Sequence, residues 1–229
     1  VGDYNGSTRQ THEDDSDNPF TMAAHTIHKT YASGWHLIGP VMTPTNSDLE
    51  TSFGSMGQWG QNWVAYNVNS QYDNLTLTLG EGYYLANLTG GDLTLSLAGA
   101  PVIADPDCND CSDNSFALAD ISLKKGWNLV ANPLVNKVHR DMLTVNAGGA
   151  DLAFEDAVDD YLIQQTIFGW FENSYTAIDR LMPFNGYWIN TSQDLTLKVR
   201  PHLFEDGELT RKADDIAWKM ELEARDISG

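Results

Sequence analysis

The stretch Gly34-Trp35-His36-Leu37-Ile38 returns 92 residues later as Gly126-Trp127-Asn128-Leu129-Val130. Two further pairs of matching stretches follow in the same order, Gly82-Tyr83-Tyr84-Leu85 with Gly186-Tyr187-Trp188-Ile189 and Asp92-Leu93-Thr94-Leu95 with Asp194-Leu195-Thr196-Leu197. The copies are separated by 104 residues in the second pair and by 102 in the third. Three matches in one order indicate an internal duplication, in which the second copy carries an insertion of about a dozen residues.

The matching stretches have the pattern of β-strands. Apolar and polar side chains alternate in Leu93-Thr94-Leu95-Ser96-Leu97, as in a strand with one buried face. A glycine precedes each aromatic strand, where a tight turn needs a positive φ, at Gly34, Gly82, Gly126 and Gly186. The tryptophans inside these strands are expected in the core, namely Trp35, Trp127 and Trp188. Each unit alone has few strands, so we predict an all-β fold of two related β-rich repeat units, packed as a pseudo-twofold sandwich-like domain.

The insertion in the second copy has a helical period. Apolar residues such as Leu152, Phe154 and Ala157 recur at helical spacing, and acidic residues occupy the other face. The pattern predicts one short helix near residues 151–163, with Asp151 as its N-cap. No comparable pattern follows Asp48 in the first copy, so a helix is not expected there.

The duplication divides the chain into five parts. Two of them are the first β repeat, 25–100, and the second β repeat, 119–200. An acidic segment, 1–24, precedes the repeats, and an acidic linker with the cysteines, 101–118, joins them. The last part, 201–229, contains an alternating apolar and polar stretch from Ile216 to Arg225 and is interpreted as a strand segment.

The charge of the chain limits its partners. Asp and Glu total 32 against 13 Lys and Arg, which gives a net charge of −19. Nucleic acids are bound through Lys and Arg on phosphates, so they are not expected as partners. No run approaches the ~18 consecutive apolar residues of a membrane helix, and no membrane insertion is expected. The chain begins at Val1 without a leader pattern, so we expect a processed or excised chain.

The two cysteines lie together in Cys108-Asn109-Asp110-Cys111. Acidic neighbours raise the pKa of a thiol, which argues against a redox-active pair. We favour a local disulfide between Cys108 and Cys111 in an oxidising compartment over free thiols or a metal pair.

The linker also contains oxygen ligands at alternating positions. Asp105, Asp107 and Asn109, with Asp113 nearby, offer the hard oxygen donors that Ca²⁺ prefers. The spacing is not that of an EF-hand. Structural calcium is therefore one hypothesis, and a solvated acidic linker is the other.

A second candidate site lies in a segment rich in Gly, Gln and Asn. Trp59, Trp63 and Tyr66 could stack on sugar rings while the amides bind hydroxyl groups. Aromatic residues also stand near the equivalent place in the second copy, at Phe168, Trp170 and Phe171, which favours a core role instead. Both interpretations remain open from the sequence.

Catalytic motifs are missing from the sequence. It has no Gly-x-Ser-x-Gly elbow, no glycine-rich phosphate loop and no His-Glu-x-x-His stretch. We therefore do not expect an enzyme, although the two carboxylates of a glycosidase can lie far apart in a sequence.

The second copy resembles a repeat of large secreted bacterial proteins that carry sorting domains for type IX secretion. The resemblance rests on Gly126-Trp127-Asn128-Leu129-Val130 followed by Asn132-Pro133, on Phe168-Gly169-Trp170-Phe171, and on the stretch from Leu181 to Ile189. It implies an extracellular or cell-surface β-rich module and does not imply a catalytic activity. The stretch around Trp218 resembles the first strand of the β-sandwich that commonly follows such repeats, which implies that the segment 201–229 begins a following domain.

These observations lead us to expect a non-enzymatic extracellular module with a structural or adhesive role in a longer parent chain. A carbohydrate-binding module, or an accessory domain of a carbohydrate-active enzyme, is the alternative. A self-assembling filament or sheath subunit is a further one, so the expected partners are neighbouring domains, a glycan or further copies of the chain.

Overall fold

The computed structural model describes residues 25–69, 75–101 and 119–199. The acidic N-terminal segment 1–24, nearly all of the linker 101–118 and the C-terminal segment 201–229 lie outside the described residues. The expectations for those parts stay predictions.

The first unit forms two antiparallel three-stranded sheets. Their orders are β1-β6-β3 and β2-β5-β4. The elements are β1 (His25–Tyr31), β2 (Gly34–Ile38), β3 (Met42–Pro44), α1 (Leu49–Ser52), β4 (Trp63–Tyr66), β5 (Tyr83–Asn87) and β6 (Leu93–Pro101). A 3-10 turn, Gly54–Met56, follows α1.

The second unit forms two four-stranded antiparallel sheets and a small two-stranded one. Their orders are β11-β10-β16-β7, β13-β12-β15-β8 and β14-β9. The strands are β7 (Ala119–Leu123), β8 (Gly126–Ala131), β9 (Val138–His139), β10 (Leu143–Asn146), β11 (Asp151–Ala153), β12 (Ile167–Phe171), β13 (Ser174–Ile178), β14 (Arg180–Leu181), β15 (Gly186–Thr191) and β16 (Leu195–Val199). The helix α2 spans Phe154–Asp159, and a 3-10 turn spans Arg140–Met142.

The two units have the same strand order. Strands β1, β6 and β3 correspond to β7, β16 and β10, and strands β2, β5 and β4 correspond to β8, β15 and β12. The second unit adds one strand to the edge of each sheet, β11 and β13. The predicted all-β fold with two sandwich-like units is therefore confirmed.

Each unit buries its own hydrophobic core between its two sheets. The first core includes Tyr31, Ile38, Met42, Trp63, Leu85 and Leu97. The second includes Ile121, Val130, Leu143, Ile167, Ile189 and Leu197. Since strand side chains alternate between faces, the residues next to these point to the outer faces of the sheets.

The units meet along a pseudo-twofold axis between Gly39 and Ala131, which are equivalent positions of the two copies. A Cβ at residue 39 would overlap the Cβ of Ala131. On one side the amide of Ala131 donates to the carbonyl of Gly80 at 2.8 Å, and on the other the amide of Gly39 donates to the carbonyl of Phe184 at 3.3 Å. The backbone hydrogen bonds between the units are therefore repeated about the axis.

The matching glycines have two different roles. Gly34 and Gly126 have φ of +109° and +102°, as the turn pattern predicts. Gly82 and Gly186 do not have a positive φ, and the prediction for them is wrong. A Cβ at residue 82 would lie 2.7 Å from the Leu129 Cγ, and one at residue 186 would lie 3.1 Å from the backbone of Ile38. Those two glycines let the units approach each other.

Phe184 interlocks the two units. It belongs to the second copy, yet it is 6% exposed within the core of the first unit. Its counterpart is Gly80, where a Cβ would lie 2.6 Å from the Ile121 Cγ1 of the second unit. The first core is therefore incomplete without a side chain from the second copy.

Tyr83 and Tyr187 are a second equivalent pair, and both rings are buried. The Tyr83 hydroxyl donates to the carbonyl of Thr76 at 2.7 Å and accepts from the amide of Thr78 at 2.8 Å. The Tyr187 hydroxyl accepts from the amide of Met182, the residue equivalent to Thr78. Each phenol thus holds the loop before its own strand.

The helices differ from the prediction in number and length. The helix α2 covers only Phe154–Asp159, and Asp151 lies in β11, where the Lys198 ammonium is 2.9 Å from its carboxylate. Asp48 caps α1 in the first unit by accepting from the amide of Thr51 at 2.8 Å, so the expectation of no helix there is wrong. Within the described residues, no helix has both the length and the apolar character needed to cross a membrane.

We expect Phe184→Ala to destabilise the whole protein. Removing a buried phenyl group costs about 3–5 kcal/mol of unfolding free energy, and this ring fills the core of the other unit. Urea unfolding should show one transition, shifted to lower urea concentration, by both circular dichroism and tryptophan fluorescence. The exposed-site variant Tyr161→Asn is the control, because Tyr161 is 86% exposed. A loss below about 1 kcal/mol would contradict the interlock.

We also expect stability to fall above pH 10. Burial raises the pKa of Tyr83 from 10.0 to about 12 and raises the pKa of Tyr187 further. The folded protein therefore keeps these protons while the unfolded chain releases them, so their stabilisation is complete below pH 10 and is lost as the pH rises. Urea unfolding should show a decline of up to about 1.4 kcal/mol per pH unit for each tyrosine. Tyr83→Phe should make the decline shallower, and an unchanged slope would count against this.

Candidate functional site

An open cleft lies where the outer face of the sheet β2-β5-β4 meets the hairpin β12-β13. Its volume is about 460 Å³. We call it the aromatic cleft, and it is lined by Trp35, His36, Leu37, Tyr66, Tyr84, Trp170 and Tyr175. Five of these seven residues are aromatic, and both units contribute.

The first wall of the aromatic cleft comes from three neighbouring strands. Trp35 on β2 is 48% exposed. Its ring centroid is 6.1 Å from that of Tyr66 on β4, with a tilt of 34° between the rings. Tyr66 lies opposite Tyr84 of β5 in the strand register. Alternation places these three side chains on the face opposite the first core. The residues buried in that core from the same strands are Ile38, Ala65 and Leu85, each an odd number of positions away.

The second wall comes from the hairpin β12-β13 of the second unit. Trp170 and Tyr175 are direct partners in the register, with ring centroids 4.8 Å apart at 70°. The Trp170 indole Nε1 donates to the carbonyl of Trp35 at 3.0 Å. This hydrogen bond between the units fixes the spacing of the two walls.

The aromatic cleft is electrically neutral. Among the described residues that line it, none is an aspartate, glutamate, lysine or arginine. His36 donates from Nε2 to the carbonyl of Ala32 at 2.7 Å, and its counterpart Asn128 donates to the equivalent carbonyl of Lys124 at 2.7 Å. His36 therefore has a repeated structural role in closing the turn between β1 and β2, as Asn128 does between β7 and β8.

The Tyr84 hydroxyl lies near Tyr175 at the cleft. Burial, and to a lesser degree the nearby Tyr175 phenol, raise the pKa of Tyr84 above its usual value. Tyr84 keeps its proton at physiological pH, as an ordinary tyrosine does. Together with Tyr175, it brings hydroxyl groups to the cleft beside the apolar rings.

A second aromatic group continues from the cleft across the junction. The Tyr84 ring centroid is 6.3 Å from that of its counterpart Trp188 on β15. Trp188 lies 6.4 Å from Trp127 on β8, edge to face at 87°, and Trp127 lies 6.0 Å from Phe168. We call Tyr84, Trp188, Trp127 and Phe168 the aromatic row. Trp127 is 51% exposed.

The three aromatic residues predicted to bind a ligand differ in their exposure to solvent. Trp63 has no exposed surface, and its Nε1 donates to the carbonyl of Gly57 at 3.1 Å. A buried ring cannot stack on a ligand, so the ligand-binding role predicted for Trp63 is wrong and the core alternative holds. Trp59 is half-buried and packs against the first core. Tyr66 lines the cleft, and its role in binding stays a prediction.

The side-chain amide of Asn62, near Trp59, makes a hydrogen bond within its own loop. The Asn62 side-chain carbonyl accepts from the amide of Gln58 at 2.8 Å. A Cβ at residue 57 would lie 2.5 Å from the same Asn62 oxygen. That oxygen of Asn62 is therefore bonded within the loop, and the expectation that amides of this segment bind sugar hydroxyls stays a prediction.

The predicted core role of the repeated tryptophans is wrong for Trp35 and Trp127, which are about half exposed, and Trp188 is only half-buried. Alternation within a strand separates two faces but does not say which face is covered. Ile38 and Val130 fill the cores from these strands, so the tryptophans point outward.

The predicted calcium ligands Asp105, Asp107, Asn109 and Asp113 lie outside the described residues, as do Cys108 and Cys111 of the predicted disulfide. In the parts of the chain that the structure describes, no three His, Cys, Asp or Glu side chains come close enough to hold a metal ion. Those predictions therefore stay untested.

Comparison of the chain with protein-family models, with curated proteins and with solved structures found no match. A functional conclusion therefore depends on the geometry of the site itself.

Of the five aromatic residues that line the cleft, only Tyr66 was among the binding residues predicted from the sequence. One signal was available. The run Tyr83-Tyr84-Leu85 is apolar at consecutive positions, so the strand has apolar side chains on both faces. In an antiparallel sheet, that pattern means that a second surface covers the outer face or that a ligand does.

Acrylamide quenching of tryptophan fluorescence should detect the exposed rings directly. A Trp35→Phe/Trp127→Phe variant should lose a large part of the quenchable fluorescence, because both indoles are about half exposed. Trp63→Phe should leave the quenchable part unchanged, since that ring is buried. Equal quenching of the double variant and the wild type would show that these rings are covered.

Proposed function

We propose that this chain is a non-enzymatic extracellular recognition module with an adhesive role, and that its aromatic cleft binds neutral carbohydrate. The observation that carries the proposal is the joining of five aromatic residues from both units, among them Tyr84 and Tyr175, in one open cleft. Such a lining suits a ligand with apolar faces and many hydroxyl groups.

The rings suit the apolar side of a sugar. A pyranose presents C–H groups on its faces and hydroxyls around its rim. The half-exposed Trp35 ring offers a flat surface for such a face, while the Tyr84 and Tyr175 hydroxyls lie where they can bind the rim. Tyrosine and tryptophan fill this double role because each combines an apolar ring with a polar group.

Charge narrows the class of sugar. Among the described residues that line the cleft, none is a Lys or Arg that could pair with a sulfate or carboxylate. The chain as a whole carries a net charge of −19. Long-range repulsion therefore opposes anionic polysaccharides. A neutral saccharide avoids this cost.

Recognition rather than cleavage fits the lining. Hydrolysis of a glycoside generally uses a pair of Asp or Glu side chains beside the scissile bond. Among the described residues lining the cleft there is no such pair. An adhesive role also agrees with the resemblance of the second copy to repeats of secreted surface proteins.

The test is a binding screen against neutral oligosaccharides, namely β-1,4-linked glucose, xylose, mannose and N-acetylglucosamine, and α-1,4-linked glucose. Uronate and sulfated oligosaccharides serve as the anionic comparison. We expect binding of at least one neutral series and none of the anionic ones. Trp35→Ala should weaken that binding at least tenfold, about 1.4 kcal/mol, because it removes the most exposed ring of the first wall.

The matched control is Tyr161→Asn, which removes an exposed aromatic residue that does not line the cleft. Asparagine also tolerates the positive φ of 58° at this position. The control should bind like the wild type. Failure of every neutral series to bind, or equal binding by Trp35→Ala and the wild type, would overturn the proposed function.

A further inference from the structure

We propose that the binding surface extends from the aromatic cleft along the aromatic row to Trp127, so that the ligand is a linear oligosaccharide of several sugar units. This extension rests on the proposed function and adds the chain length of the ligand and a second contact region. It is carried by the continuity of the rings across the junction and by the exposure of Trp127.

The first step is the link between the two regions. Tyr84 lines the cleft and is also the first ring of the row, with its centroid 6.3 Å from that of Trp188. These two residues are equivalent in the two copies, so they meet at the pseudo-twofold junction. A ligand that leaves the cleft past Tyr84 therefore meets another aromatic ring.

The second step is the exposure at the far end of the row. Trp127 is 51% exposed, close to the 48% of Trp35 in the cleft. The two tryptophans are equivalent positions of the duplication, yet only Trp35 belongs to the cleft lining. Trp127 is supported by Trp188 and Phe168, which hold it at centroid distances of 6.4 and 6.0 Å.

The third step is the rigidity of the row. Three of its four members lie on paired strands of the second unit, with Trp188 opposite Leu129 of β8 and Phe168 of β12, and with Trp127 opposite Asn190 of β15. The fourth member, Tyr84, lies on β5 of the first unit, which pairs with β2 and β4. Strand pairing fixes the backbone of each ring before a ligand arrives, which lowers the entropic cost of binding.

The fourth step is the chemistry of the surface. The row residues and Asn190 carry no formal charge, so the surface continues the neutral character of the cleft. Asn190 adds an amide opposite Trp127 in the register. An apolar surface with an amide at its side suits a further neutral sugar unit.

The experiment measures affinity by calorimetry against oligosaccharides of increasing length, from one to six units, in each of the five neutral series. The proteins are the wild type, Trp35→Ala, Trp127→Ala and the control Tyr161→Asn. We expect the affinity of the wild type to rise at least tenfold from the shortest binding oligomer to the hexamer. Trp127→Ala should abolish that rise while leaving the affinity for the shortest binding oligomer unchanged.

The outcomes separate the two proposals. If the short oligomers bind through Trp35 but Trp127→Ala keeps the full rise with length, the extended surface is wrong and the proposed function stands. If affinity does not rise with length in the wild type, the extended surface is likewise wrong. If no series binds, or if Trp35→Ala binds short oligomers like the wild type, the proposed function fails and the extension fails with it. Circular dichroism of both alanine variants should match the wild type, since both side chains lie on the surface.

Discussion

The contact of Gly39 with Ala131 is the constraint on which the junction and the aromatic cleft depend. These residues are equivalent in the two copies, so they face each other across the pseudo-twofold axis, and the space between them holds the Cβ of only one. A larger residue at position 39 would push β2 away from the second unit. The Trp170 indole would then lose its hydrogen bond to the Trp35 carbonyl, and the two walls of the cleft would separate.

The duplication produces one interlocked structure because equivalent positions hold unlike residues. Phe184 inserts into the core of the first unit, while its counterpart Gly80 has no side chain and lies against Ile121. The same difference between equivalent positions shapes the aromatic cleft and the aromatic row. Trp170 of the second copy donates to the Trp35 carbonyl of the first and forms part of the second wall of the cleft. Trp127 of the second copy instead packs on Phe168 and Trp188 and is about half exposed.

The sequence predicts the strand architecture well because the repeat identifies it twice. The three pairs of matching stretches form β2 and β8, β5 and β15, and β6 and β16, which are equivalent strands of the two units. It predicts the candidate site poorly. Trp63 and Trp35 both stand in apolar strand patterns, and the difference between a buried and a half-exposed ring depends on which sheet packs on which face. That information is present only in the tertiary contacts. The short helix after Asp48 was missed for another reason, because one capping hydrogen bond and four residues leave only a weak signal in the sequence.

The half-exposed tryptophans are what a purely structural account explains least well. Burial stabilises a fold in proportion to the apolar area removed from water, so the exposed halves of Trp35 and Trp127 add nothing to folding. Equivalent strands that needed only to pair could carry threonine or lysine there, as solvent-facing strand positions commonly do. Both copies nevertheless present an indole at this position, and both indoles adjoin neutral aromatic surface. A ligand that covers those rings would remove that apolar area from water on binding, and this is the physical argument for the proposed role of the two tryptophans in recognition.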